Sequence, residues 1–305
     1  MMTENKRTIL TTGGSGFLGS EVCRQLLDSG CQVVNISHRS APLEKVISES
    51  ADLTDIRQLE KVFQTYKISA IVHMAAALSS HSNQNPDEAF RLNVLGSFNL
   101  MEMARQFNIS RFVYASTYSL LGYREPEFGL ADESLIPTPD NFYGETKQFT
   151  EALGVNCGIK FGFHFSSGRM GALVGPGQAS ASSAWRMDIF NKLKTGGEIQ
   201  VKFAPQTIMI FSLVEDTARA LVTLALAEKN RHAIYNLPHD SITLEEMADF
   251  VTGLNPNIQF SFGRTLEHDM PTMIDASRFT SEFPQFKHIH LFEALRISQS
   301  NILEE

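Results

Sequence analysis

Tyr143 and Lys147 stand four residues apart at the start of a helix-like stretch, Tyr143-Gly144-Glu145-Thr146-Lys147. That spacing puts a phenol and an ammonium on one helix face. A lysine charge beside a phenol favours phenolate and draws its pKa from about 10 toward working pH, which suits a tyrosine to general acid–base work. The pair alone is common, and its bland reading is an exposed lysine near a packed tyrosine. Two further features accompany it. Arg111–Ser116 reads as a strand running into the hydroxyls of Ser116 and Thr117, at the strand end where parallel sheets bind ligands. Directly after the first apolar strand (Thr8 to Thr11) comes Thr12-Gly13-Gly14-Ser15-Gly16-Phe17-Leu18-Gly19. Gly14-x-Gly16-x-x-Gly19 fits the dinucleotide fingerprint, and Gly13-x-x-Gly16-x-x-Gly19 fits its wider relative. The turn feeds a helix expected from Phe17 to Ser29, whose free N–H groups and dipole would receive phosphate.

The elements that must hold these groups alternate through the first half. Gln32–Ile36 is apolar and follows Gly30, a helix stop. Thr54 is expected to cap a helix carrying Ile56, Leu59, Val62 and Phe63 on one face. Ala70–Met74 reads as a buried strand, Pro86–Phe107 as one long helix, Phe142–Val155 as another, and Lys160–Arg169 as a later strand. This order predicts an α/β fold, a doubly wound parallel sheet with helices on both faces. After Gly175-Pro176-Gly177 the pattern loosens through the small-residue stretch Ser180–Ser183. Helices are expected at Glu215–Ala227 and Thr243–Leu254, with short strands at Ile199–Phe203, Ile234–Leu237 and Ile258–Ser261. The division expected is a nucleotide-binding domain over 1–175, joined by 205–238, and a smaller, partly interleaved C-terminal substrate lobe over 176–204 and 239–305.

With 305 residues, 43% of them hydrophobic, the chain can bury a large core. A net charge of −8 and a pI near 5.6 argue against a general nucleic-acid partner. Cys23, Cys31 and Cys157 form no CxxC pair, which points to reduced thiols in a cytoplasmic setting. No signal-peptide core or membrane-spanning apolar run is present, so no membrane partner is expected. The nine histidines show no clustered ligand spacing, so no metal site is expected. His73 reads as a satisfied sheet residue.

Across nearly its whole length the chain resembles the extended short-chain dehydrogenase/reductase family, also called the NAD(P)-dependent epimerase/dehydratase family. The resemblance rests on the glycine turn, Asp52-Leu53-Thr54-Asp55, Val72-His73-Met74-Ala75-Ala76, Asn93-Val94-Leu95-Gly96-Ser97 and Phe112-Val113-Tyr114-Ala115-Ser116-Thr117. It continues through Tyr143-x-x-x-Lys147, Gly175-Pro176-Gly177, Val214-Glu215-Asp216 and Tyr235-Asn236-Leu237. It implies a Rossmann-type sheet and a small-molecule substrate. Tyr143 is then the acid/base, Thr117 the hydroxyl that polarises the reacting oxygen, and Lys147 the group that holds the nicotinamide ribose. Gly13, Gly16, Phe17 and Leu18 form the phosphate turn, Asp52 and Leu53 contact the adenine, and Ala75 and Ala76 leave room along the cofactor. Asn93 matches a helix asparagine near the site, whose plain role is a buried hydrogen bond. The helices Pro86–Phe107 and Phe142–Val155 match the pair through which family members form a four-helix homodimer contact.

After the second strand stands Ser37-His38-Arg39-Ser40, with no acid until Glu44. NAD binders place a carboxylate here, which would repel a 2′-phosphate; hydroxyls and an arginine fork would receive one, so NADP is expected over NAD. Three departures bear on the reaction. Tyr118 and Ser119 replace the Asp-Glu that family dehydratases carry after the threonine, which disfavours a 4,6-dehydratase. Met209 occupies the position, seven before Asp216, where nucleotide-sugar enzymes grip diphosphate with arginine. Ala172 replaces the asparagine of the family's Asn-Val-Tyr-Gly segment; Arg186, Lys192, Lys194, Lys202 and Arg264 are the nearby cations. The reading is an NADP-dependent oxidoreductase or epimerase of a sugar-nucleotide-like or other small substrate. Its rival is a redox-sensing binding protein without turnover.

Overall fold

This computed structural model describes residues 6–38, 41, 43–123, 129–177, 184–266 and 271–304. Alternation along the strands assigns each side chain to a layer. In β1 (Thr8–Thr12), Ile9 joins one core and Leu10 the other; β4 (Ile68–His73) repeats this with Val72 and Ile71, and β5 (Arg111–Ala115) with Val113 and Phe112. With β2 (Gln32–Ile36), β3 (Ile47–Glu49), β6 (His164–Arg169) and β10 (Ile234–Asn236) they form one seven-stranded sheet, ordered β10-β6-β5-β4-β1-β2-β3. Every pairing in it is parallel. The doubly wound fold expected from the sequence is therefore the one observed, and its strand order reverses between β1 and β4, where such sheets open a ligand crevice.

Helices α1 (Phe17–Asp28) and α8 (Val214–Leu226) cover one face, joined by Phe279 of α10 (Ser277–Glu282). The other face carries α2 (Ile56–Thr65), α5 (Ser97–Gln106) and α6 (Phe142–Phe161). The short helices α3 (Ser79–Gln84) and α4 (Pro86–Phe90) lead into α5. A three-stranded sheet of β7 (Ala172–Val174), β9 (Ile208–Leu213) and β11 (Asp240–Thr243) lies outside the main one, as does the parallel pair β8 (Gly197–Phe203) and β12 (Ile258–Thr265). With α7 (Ala184–Thr195), α9 (Leu244–Leu254) and α11 (Leu291–Glu304) they enclose a separate core that includes Trp185, Phe190, Met209, Phe211 and Leu295.

Several local expectations change. The long helix after Pro86 is interrupted, because Arg91–Gly96 widens into a π turn between α4 and α5. Ser97 Oγ and Thr150 Oγ1 both donate to the carbonyl of Asn93 there, supplying side-chain partners where the regular ladder is broken. Asp55, not Thr54, caps α2: its Oδ1 accepts from the backbone of Arg57 at 2.9 Å, while Thr54 bonds back to Asp52. Lys160 belongs to α6, which runs on to Phe161 and stops at Gly162 in the left-handed conformation, so β6 begins only at His164. β12 continues to Thr265. All three cysteines are buried free thiols. Among the described residues, no helix is long and apolar enough to cross a membrane.

Candidate active site

The glycine turn meets the sheet at the reversal point. Gly16 begins α1, and no side chain caps that N-terminus. A Cβ on Gly19 would lie 2.1 Å from the carbonyl oxygen of Gly13, and one on Gly13 would lie 3.0 Å from the backbone of Ala75. The turn is thus closed on itself and on the end of β4, and only glycine permits it. Asn35 Oδ1 accepts from Gly14 N at 2.7 Å, and the hydroxyls of Ser15 and Ser37 bond at 2.7 Å, tying the turn to the end of β2. Leu18 is buried, and the Phe17 ring lies beside Gly175 and Gly177. His38 is exposed, and Arg39 lies outside the described residues. Asp52 Oδ1 receives both the amide and the hydroxyl of Thr54; Leu53 is buried against Gly96.

The end of β4 is held by directed hydrogen bonds. Thr12 Oγ1 accepts from the amides of Met74 and Ala75, so its own proton goes to His73 Nδ1 at 2.7 Å. His73 Nε2 then carries the hydrogen, donates to Ser97 Oγ at 2.8 Å, and Ser97 donates to Asn93 O. Burial, with the charge of Lys147 added, pushes the His73 pKa down to about 3, so the ring is neutral. Asn93 clamps Ala77, accepting from its amide at 2.7 Å and donating to its carbonyl at 3.0 Å. Its Nδ2 also donates to Thr146 Oγ1, which donates to the carbonyl of Tyr143. One network therefore joins the strand-end beside Ala75 and Ala76 to the first turn of α6.

Asn141 caps α6 by accepting from Gly144 N at 2.9 Å. A Cβ on Gly144 would lie 2.7 Å from the carbonyl of Ser119, so this glycine lets the helix start sit against the turn after β5. Thr117 caps that turn: its Oγ1 accepts from Ser119 N and donates to Ser119 Oγ, both at 3.2 Å. Lys147 is buried; its Nζ donates to the carbonyl of Ala115 at 2.8 Å and lies 5.6 Å from the Tyr143 ring centroid. Burial draws the lysine down to about 7, opposed in part by Glu151. The Tyr143 phenol is pushed up by burial, the reverse of the shift expected from its neighbour. The cause is desolvation of the phenol itself, which outweighs the neighbouring amine. Behind it, Glu151 forms a buried pair with Arg169 at 2.7 Å and accepts from Ser167 Oγ at 2.6 Å.

The residues present fit a dinucleotide. No side chain occupies the start of α1, where helix N–H groups receive phosphate, and the close-packed glycines and small Ala75 and Ala76 keep side-chain bulk out of the turn. Ser116 Oγ, at the end of β5, is buried with no hydrogen-bond partner. Sequence spacing missed Thr12, Ser97, Thr146 and Arg169, which carry no local signature. Glu151, one turn beyond Lys147 on the same face, was readable. A cavity of about 810 Å³ borders the glycine turn at Ser15 and Phe17 and extends along α8 and α11; Tyr143, Lys147 and Thr117 do not line it. Met209 is packed in the second core, and Ala172 pairs in β7 with Phe211. Arg186 Nε is tied to the carbonyl of Leu173.

Residues 9–237 match the model of the NAD dependent epimerase/dehydratase family. Over 302 residues the chain is 26% identical to an uncharacterized epimerase/dehydratase of Staphylococcus saprophyticus, covering 92% of this chain and 93% of that protein. It is 34% identical over 164 residues to UDP-glucose 4-epimerase of Schizosaccharomyces pombe, a match spanning 47% of this chain and 45% of that relative. The structure of L-threonine dehydrogenase from Clostridium difficile superposes with a TM-score of 0.85 and 25% identity over 98% of each chain. Matched from its first strand through β10, the chain belongs to the NAD dependent epimerase/dehydratase family, the extended short-chain dehydrogenase/reductases.

Proposed function

We propose that this protein is an NADP-dependent oxidoreductase or epimerase acting at a carbonyl or alcohol carbon, with Tyr143 as acid/base. The observation that carries this reading is the placement of Lys147: a buried amine fixed on the end of β5 and one helical turn from a phenol. The bound nicotinamide supplies hydride transfer. Tyr143 gives or takes the proton at the reacting oxygen, the Thr117 hydroxyl turns from Ser119 to polarise that oxygen, and Lys147 holds the cofactor's ribose and lends its charge. Ser37 and His38 at the end of β2, with no acid until Glu44, support NADP, and Arg39 is the proposed 2′-phosphate contact.

A 4,6-dehydratase is disfavoured by Tyr118. Its phenol is fully buried and its hydrogen is committed to the carbonyl of Leu237 at 2.6 Å, so it is taken up by the fold and stands in for neither acid. The substrate is a small molecule, a nucleotide sugar only if bound without an arginine at position 209. Exposed Phe90, Leu95, Phe98 and Phe149, on the π-interrupted helix and α6, support a homodimer.

The test pairs reduced or oxidised cofactor with nucleotide sugars and small hydroxy and carbonyl compounds. Nicotinamide absorbance reads net oxidation or reduction, and chromatography of the product reads epimerisation. Tyr143→Phe should lower turnover by about 10²–10⁴-fold while cofactor still binds. Unchanged turnover in that variant would overturn the acid/base reading; no turnover with any compound, with tight cofactor binding, favours the sensing protein.

A further inference from the structure

Away from the glycine turn and α6, three side chains from two distant parts of the chain converge at the start of α11. Asp240 opens β11, and His288 and His290 lie in the segment before α11. Their ligand atoms all lie within 4.8 Å of one another. We propose that Asp240, His288 and His290 bind a divalent transition-metal ion of the zinc type.

His288 is the anchored member of the cluster. Its Nδ1 bonds Asp216 Oδ2 at 2.8 Å, which fixes that nitrogen as the one carrying hydrogen. Asp216 is itself held, by Arg219 on its other oxygen and by the amide of Ile289 at 2.7 Å. A carboxylate that orients a histidine through its far nitrogen is the usual support of a metal-bound imidazole. The other nitrogen, Nε2, is buried and has no hydrogen-bond partner. It faces Asp240 Oδ2 at 3.4 Å. In a tetrahedral site with bonds of about 2.0–2.1 Å, neighbouring donor atoms are separated by roughly 3.3 Å. The third donor, His290 Nδ1, sits 2.7 Å from Asp240 Oδ1, a contact that opens as the ion replaces the shared proton. The two imidazole rings lie 4.6 Å apart at 74°, turned toward one carboxylate.

Two imidazole nitrogens and one carboxylate suit a borderline ion such as zinc, and three protein donors leave a fourth position for water. The side chains of Asp240 and His288 are 12% and 15% exposed and that of His290 is 68% exposed, so the ion has an open path. The ion would join β11, α8 (through Asp216) and the start of α11. The sequence hid this site because Asp240 and the histidines are far apart in the chain.

The test uses the full chain, free of any affinity tag and stripped with a chelator, titrated with zinc at neutral pH against a chromophoric chelator. One equivalent should bind saturably and raise the melting temperature. His290→Ala, at an exposed position that leaves folding intact by circular dichroism, should weaken binding by about 10-fold or more, as should Asp216→Asn through the lost orienting bond. His290→Cys should restore binding by supplying another zinc donor. Absence of saturable binding, or equal affinity in wild type and His290→Ala, would overturn the site and leave His288 as a protonated bridge between two aspartates.

Discussion

Around β4, β5 and α6 the core is threaded with polar side chains that answer one another: Thr12, His73, Ser97, Asn93 and Thr146 in one network, Glu151 and Arg169 in another. The core beneath β9 is built differently. There Trp185, Phe190, Met209, Phe211 and Leu295 pack with no buried ion pair among them. Buried polarity is costly unless satisfied, so its concentration in one region marks where position matters more than stability. The main sheet carries a polar framework beside the glycine turn and α6, whereas Met209 is absorbed into an apolar core.

Changes to each region should therefore fail in different ways. The largest effect expected is on turnover: Lys147→Met should reduce it by about 10²–10⁴-fold, as for loss of an acid/base partner. The same change should remove a pH dependence of stability. The folded-state pKa of Lys147 is lowered from 10.5 to about 7, so between those values the unfolded chain binds the extra proton and stability rises with pH. Urea unfolding across that window should be flatter in the variant; an unchanged slope would show that this amine is not desolvated.

Next in size, Arg169→Leu strands Glu151 and should cost about 3–5 kcal/mol by urea unfolding at neutral pH. By contrast, Met209→Ala should cost about 2–5 kcal/mol through a cavity, and Met209→Leu under about 1.5 kcal/mol. If Met209→Arg proved as stable as wild type and created nucleotide-diphosphate binding, the contrast between the two cores would collapse. His73 offers a finer probe. Its folded pKa is depressed from 6.5 to about 3, so stability complete above 6.5 is lost as pH falls toward 3. His73→Leu should lessen that acid sensitivity, at some cost to the network at neutral pH.

The smallest effect concerns cofactor choice. Ser37→Asp places a carboxylate beside the expected 2′-phosphate and should weaken NADP binding by about tenfold or more, since one charge-assisted hydrogen bond is worth about 1.5–3 kcal/mol. NAD binding should change little. Equal loss for both cofactors would move the 2′-phosphate away from Ser37.

What was legible in the sequence is what lies close along the chain. The glycine turn, the Tyr143–Lys147 spacing and the alternation in β1, β4 and β5 each occupy a few consecutive residues, and the fold built from them is the one observed. The clamp of Asn93 on Ala77 and the pairing of Glu151 with Arg169 join separate elements, so no periodicity announces them. The π turn was hidden because its apolar spacing mimics a regular helix, and only the inward bonds of Asn93, Ser97 and Thr150 show why it is tolerated. Counting back from Asp216 located Met209, but its surroundings emerge only in the assembled core. The Tyr143 shift runs opposite to the sequence expectation for a related reason: sequence shows that a lysine is near, not that the phenol's own burial outweighs it.

The central claim is that the glycine turn and the Tyr143–Lys147 helix serve one cofactor. Calorimetric titration of NADP and NAD into wild type, Tyr143→Phe and Lys147→Met tests it most directly. The expected result is one equivalent of NADP bound more tightly than NAD, affinity kept in Tyr143→Phe, and affinity weakened by about tenfold in Lys147→Met, the loss of one or two charge-assisted hydrogen bonds. Failure of wild type to bind either nucleotide, or identical affinity in wild type and Lys147→Met, would contradict it.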